Sequence, residues 1–232
     1  MTSNSPATAR TAGRVDLTMM LAMHDAFRRD LAHLARAAGQ HPATLDDPAR
    51  RRAVLTGWEL FKTQLHMHHT GEDTDLWPRM RVHLAGRPDD LALLQAMQDE
   101  HGRIDPLLDA VDDAFSDHRH QRLADTVDAL VAELSGHLAH EERDTLPLLG
   151  RTLTQAEWQA FVADQRRMNG IRGAAHFFPW LLDGASAEQA QAVLTGLPAP
   201  LRVVYRRIWQ PRYARQDHWE PSTPTAPRAR ES

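Results

Sequence analysis

The sequence predicts an all-α protein, a four-helix bundle with a C-terminal helical extension. Three observations carry that prediction. Four stretches place apolar residues and histidine at steps of three or four, so each set lies along one helix face. Two of those stretches repeat one another, down to a proline at the same offset. Beyond residue 150 the helix-opening pattern Ser/Thr-x-x-Glu/Gln is read as a capping box at Thr154 and at Ser186.

Residues 1–14, rich in Ser, Thr, Ala and Pro, are expected to be disordered, and the bundle is expected over 15–150. The first helix is predicted from Asp16 to Ala38, with the stripe Leu17, Met20, His24, Phe27, Leu31, Leu34, and it stops at Gly39. A loop follows, from Gln40 to Asp47. Asp47 then caps a second helix that has Pro48 at its first position. Its stripe is Val54, Trp58, Phe61, Leu65, His68, Glu72, Leu76, with Gly71 weakening the last turns and Pro78 marking the end. After a turn at Gly86 to Pro88, the third helix carries Leu94, Met97, His101, Ile104, Leu108, Val111 and reaches Phe115, with a kink at Pro106. The fourth runs from Gln121 to Asp144 with Leu123, Val127, Leu130, Leu134, His137, Glu141, and Pro147 follows it. Residues 151–213 are read as a helical lobe packed on the bundle. It has one helix to Asn169, a turn at Gly170 to Gly173, a helix ending at Gly196, and a short one from Leu201 to Trp209. A polar, Pro-rich tail, 214–232, is expected to be disordered.

Aligning Pro78 with Pro147 sets His68 on His137, Glu72 on Glu141 and Asp73 on Glu142, while His24 and His101 take matching places on the other two helices. The bundle is thus two helical hairpins related by an approximate two-fold. Each hairpin supplies one lone histidine and one His-x-x-x-Glu pair.

Composition narrows the chemistry. A net charge of −4 gives no electrostatic case for nucleic acid or an anionic membrane surface. The absence of cysteine excludes disulfides, thiolate metal sites, iron–sulfur clusters and cysteine nucleophiles. The apolar run after Arg14 is interrupted by Asp16 and lacks a small-residue cleavage site, so it reads as the first helix and not as a signal peptide. The run Ala174 to Leu182 is too short to span a bilayer. A cytoplasmic location is expected.

The stripes point into a core, where an unpaired ionised group is neutralised or excluded. A metal resolves the conflict by turning imidazole and carboxylate into ligands. Residues four apart stand about one turn, ~5.4 Å, from each other along a helix, so His68/Glu72 and His137/Glu141 can each offer a ring nitrogen and a bridging carboxylate. This is the arrangement of a dinuclear site in a four-helix bundle, with His24 and His101 in terminal positions. Ligands of this type without thiolate suit iron, manganese or zinc, and bridging carboxylates favour a metal that changes oxidation state. His69 is rotated about 100° from His68. It is either an extra ligand, a donor to the ligands, or a half-exposed ring. Asp105, four past His101, is a ligand, an orienting acceptor or a helix-boundary residue. His140 and Glu142 are assigned to the surface or to the groups that orient the ligands.

At His24, at His68-His-Thr-Gly-Glu72-Asp with Leu76-Trp-Pro78, at Glu100-His101, and at His137-Leu-Ala-His-Glu141-Glu with Leu146-Pro147, the chain resembles the hemerythrin-like (HHE cation-binding) family. The resemblance covers about residues 16–150. It implies an up-down four-helix bundle holding two non-haem iron ions, oxygen-bridged when oxidised, with iron favoured over manganese or zinc. Its implied metal residues are His24, His68, His69, Glu72, His101, His137 and Glu141. The roles it implies are binding or sensing of oxygen, nitric oxide or iron. Alternatively, it implies an enzyme that turns over peroxide or nitric oxide with an external electron donor. No flavin or nicotinamide motif is present, which favours the binding protein over the enzyme. Oxygen-carrying members place a second histidine one turn after the first on the third helix, where this chain has Asp105. The shell is then richer in carboxylate or is completed by His69, and simple reversible oxygen carriage is disfavoured.

Overall fold

A computed structural model describes residues 15–39, 45–116 and 120–221. The expected disorder of 1–14, most of the loop after Gly39, and the tail beyond 221 lie outside the described residues. Among the described residues the regular structure is entirely helical.

Four long helical runs form the bundle. Helix α1 is Thr18–Gly39. Helix α2, Pro48–Gly71, opens with the predicted cap, Asp47 Oδ1 accepting from Ala49 N. It passes through a wide π turn, Glu72–Leu76, into α3, Trp77–His83. Helix α4, Pro88–Ser116, continues through Pro106 as one helix. Helix α5, His120–His140, passes through a second π turn, Glu141–Thr145, into α6, Leu146–Thr152. The principal helix contacts are α4 with α5, α1 with α5, and α1 with α2. Every stripe residue named above is buried except Leu17 and Leu108, which are half-buried.

Pro78 and Pro147 were expected to end their helices, and they do not. A proline in an α-helix lacks the N–H for the carbonyl four residues back and presses its ring against that carbonyl. Widening the preceding turn to five residues relieves the conflict. Trp77 N–H then donates to Glu72 O, and Leu146 N–H to Glu141 O. The same device recurs at Tyr205–Trp209, where Gln210 N–H donates to Tyr205 O just before Pro211. In the bundle, both wide turns begin at a stripe glutamate. The extra residue keeps Glu72, Leu76, Trp77 and Met80 all on the buried face.

The core has two apolar parts. One contains Phe27, Leu34, Trp58, Phe61, Leu65, Ile104 and Leu134. The other contains Leu76, Trp77, Met80, Leu94, Met97, Leu146 and Leu149. The stripe histidines and glutamates fall at the junction between them on every run. Helix α7, Gln155–Leu182, spans that junction on the outside. Its first half packs Trp158 and Phe161 on the second cluster, and its second half packs Phe178 and Trp180 on the first. The turn expected over Gly170 to Gly173 is confined to one residue. Gly170 breaks the helix with φ 57° and ψ −171°, a left-handed conformation that glycine tolerates. The capping box at Thr154 forms in both directions, whereas Ser186 accepts only from Gln189 N to open α8, Ala187–Thr195. Helix α9, Ala199–Val204, and α10, Gln210–Tyr213, flank the third π turn.

The lobe is anchored by polar contacts, one of them buried. Trp180 Nε1 donates to Asp30 Oδ2 at 2.7 Å, and Arg29 donates to the carbonyls of Trp180 and Asp183. Residues 214–221, expected within the disordered tail, are placed against the bundle. Trp219 is 5% exposed, its N–H donates to Ala53 O, and its ring lies where a Cβ on Gly57 would stand only 2.5 Å away.

Candidate metal centre

Seven side chains meet at the junction of the two clusters: His24 from α1, His68 and His69 from the end of α2, Glu72 from the first π turn, His101 from α4, His137 from α5, and Glu141 from the second π turn. All seven are at most 6% exposed. Their donor atoms form two triads with the geometry to hold an ion, His24/His68/Glu141 and His69/His101/His137. Glu72 links them, with one oxygen 3.5 Å from His68 Nε2 and the other 3.5 Å from His101 Nε2.

His69 is therefore drawn into the cluster. Its ring stacks on His101 with centroids 3.9 Å apart and meets His137 edge-on at 5.4 Å. Asp105 is exposed and takes no part. The internal repeat gives no counterpart to His69, because Leu138 occupies the equivalent place. His69 is thus where the two-fold breaks, and only the fold could decide its role.

The outer nitrogens of three rings are held by carboxylates. His24 Nδ1 donates to Glu142 at 2.8 Å, His101 Nδ1 to Asp73 at 3.0 Å, and His137 Nδ1 to Glu100 at 2.8 Å. Asp73 and Glu142 follow their respective glutamates by one residue, so each hairpin orients the lone histidine of the other. The repeat alignment pairs these two residues; from sequence, orienting the ligands is one alternative for Glu142, and Asp73 has no task. Glu100 also accepts from His140 Nδ1 at 2.7 Å, and Arg28 donates to Glu142 at 2.8 Å. An ionised carboxylate only accepts, so the proton of each of these rings sits on Nδ1. In the neutral ring Nε2 is then a lone pair turned inward. His101 Nε2 and His137 Nε2 face one another at 3.2 Å. Two lone pairs at that separation repel unless they share a proton or a metal ion.

The other inward atoms are equally short of partners. His68 Nε2, His69 Nε2 and both oxygens of Glu72 are buried without a hydrogen bond, and His24 Nε2 and Glu141 Oε2 have only one another, at 3.1 Å. Each such group costs about 1–3 kcal/mol or more when nothing satisfies it. Titration reflects the same conflict. Burial, followed by the positive field of neighbouring rings, holds His68 and His69 well below the ordinary imidazole range. Burial also opposes charge on His24, but Glu141 and Glu142 outweigh it and lift the ring to about 9. Burial and the nearby Glu141 push Glu72 well up, whereas His24 outweighs burial at Glu141 and holds it at about 2. The hydrogen bond from His24 holds Glu142 at about 2. The neutral rings of His68 and His69 and the ionised Glu141 are ready for a metal, whereas His24 and Glu72 would each give up a proton on binding one, so the donor set fits a pair of cations with proton release.

A cavity of about 800 Å³ reaches this centre from the side covered by α7, and its inner wall includes His68, Gly71 and Glu72. No described helix is long and apolar enough to cross a membrane.

Residues 15–156 match the family model described as Hemerythrin HHE cation binding domain. No curated protein and no solved structure matches the chain. The matched span covers more than half of the 232 residues and includes all seven clustered side chains, and the chain belongs to the hemerythrin HHE cation-binding family.

Proposed function

We propose that the protein is a cytoplasmic, non-haem di-iron protein that binds or senses oxygen, nitric oxide or iron. Its four long runs are read as an up-down four-helix bundle around the centre. The observation that carries the proposal is the pair of inward imidazole nitrogens, His101 Nε2 and His137 Nε2, facing at 3.2 Å with their outer nitrogens already committed to carboxylates. His24, His68 and Glu141 would hold one ion and His69, His101 and His137 the other, with Glu72 placed between the triads. When bound, iron supplies reversible one-electron chemistry and an open position for a small ligand. The chain's own residues orient the rings through Asp73, Glu100 and Glu142 and exclude water by burial. Carboxylates placed to be shared by two ions would suit a metal that changes oxidation state, iron over zinc.

A second reading is turnover of peroxide or nitric oxide with an external electron donor. The cavity beside His68 and Glu72 favours it, because it gives a co-reactant a route to the centre. Anaerobic titration of the reduced, iron-loaded protein with oxygen and with nitric oxide separates the two. Stoichiometric spectral change with slow decay supports the binding protein. Sustained consumption of peroxide or nitric oxide in the presence of a donor supports the enzyme. No response to any of these ligands would overturn both.

A further inference from the structure

The cavity under α7 is far larger than a diatomic ligand needs. At about 800 Å³ it exceeds by more than twenty-fold the ~30 Å³ that a small molecule such as water occupies in the liquid. It falls in the range of roughly 300–1,000 Å³ typical of sites for organic ligands. Its wall is mainly apolar, with Met20 and Met23 from α1 and Trp158, Phe161, Phe177 and Phe178 from α7. Thioether side chains adapt to irregular shapes, and Met19 and Met67 add two more.

Polar side chains also line the wall, and four of them, Gln64, Gln165, His68 and Glu72, sit beside the centre. Gln64 is 3% exposed. Gln165 approaches Gly71 so closely that a Cβ there would stand 2.8 Å from its Oε1, and its Nε2 is buried without a partner. His68 and Glu72 close the end beside the centre. The remaining charged side chains of the wall, Asp16 and Arg166, are exposed at the outer side. In the metal-free protein an anionic head group would meet Glu72, and the wall offers it no buried lysine or arginine as a partner, which is costly. At the outer side the wall includes Gly170, where α7 breaks, and Ile171, which is 74% exposed.

We propose that this cavity binds one uncharged, largely apolar organic molecule, with a hydrogen-bonding group directed at Gln64 and Gln165 and its inner end against His68 and Glu72. The di-iron reading enters only in what the ligand's inner end meets; the binding itself rests on the cavity.

The test uses N-phenyl-1-naphthylamine, an uncharged apolar fluorophore, titrated into the full-length protein with and without metal. Saturable, blue-shifted emission at one site per chain is expected. Ala174→Trp, which projects a large ring into the cavity, should weaken binding at least tenfold while metal content and melting temperature are retained. Met19→Trp fills the opposite wall and serves if the first variant does not fold. An alkanol of medium chain length should compete with the dye and shift the visible spectrum of the iron-loaded protein. Absence of saturable binding, or binding that neither Trp variant weakens, overturns the proposal. Metal analysis runs on the same samples. Dye binding blocked by the Trp variants in a protein that takes up no iron leaves the cavity site standing and removes the di-iron reading. Iron loading without dye binding does the reverse.

Discussion

Replacing His69 by Ala removes one ring from the His69/His101/His137 triad and opens a polar void beside two inward nitrogens. It should cost the iron held there, leaving about one ion per chain, whereas Asp105→Ala should leave the iron content unchanged because Asp105 is exposed. Equal effects from the two substitutions would contradict the placement of His69. The orienting carboxylates make a milder prediction. Glu142→Gln and Asp73→Asn keep shape but lose the charge that fixes the tautomers of His24 and His101. Each should lower iron affinity by ~10–100-fold without abolishing the site, measured by competition with a chelator. His140→Ala should change little, because Glu100 still accepts from His137. At this scale the sequence was legible wherever helical phase alone decides, as at His24, His68, Glu72, His101, His137 and Glu141. It left His69 open because that ring is rotated about 100° from His68, and Asp105 open because a residue four past His101 lies on the stripe side; the packing of the helices turns His69 inward and leaves Asp105 exposed.

Among the elements, the π turns explain why Pro78 and Pro147 do not terminate their helices. Each signature is written in the sequence as a glutamate six residues before a proline, but period alone cannot distinguish a stop from a widened turn. Gly71 was expected to weaken its helix. It also lets the amide end of Gln165 of α7 approach the bundle, and because that end is flexible Gly71→Ala should displace it with little change in melting temperature. The start of α7 carries a pH-dependent contact. Hydrogen bonds from the backbone and side chain of Thr154, and then the His83 ring, hold the half-buried Glu157 at about 2 instead of 4.5. A carboxylate lowered on folding contributes stability above its unfolded value and loses it as pH falls towards its folded value. The melting temperature of the wild type should therefore exceed that of Glu157→Gln above pH 4.5, and the difference should close between pH 4.5 and about 2. A difference independent of pH across that window would contradict the role of the charge.

For the molecule as a whole, the lobe is the outer wall of the centre and of its cavity. Its tryptophans and capping boxes predicted a packed extension, but no local pattern could show that α7 bridges the two core clusters. Nor could it show that Trp219, in a polar Pro-rich stretch, returns to fill the space above Gly57. Trp219→Ala should destabilise the protein by about 3–5 kcal/mol, as large core truncations do, read from chemical denaturation. Truncation after Gly150 removes Trp180 from Phe27 and Asp30, and should lower solubility and melting temperature. A truncated bundle that is equally stable and metal-loaded would show the lobe to be independent. The most direct measurement is elemental analysis of the full-length protein after iron reconstitution, read alongside its near-ultraviolet spectrum when oxidised. Two triads joined by Glu72 predict close to two irons per chain, with the absorption of an oxygen-bridged diferric centre. No iron, or a single stably bound zinc, would contradict it.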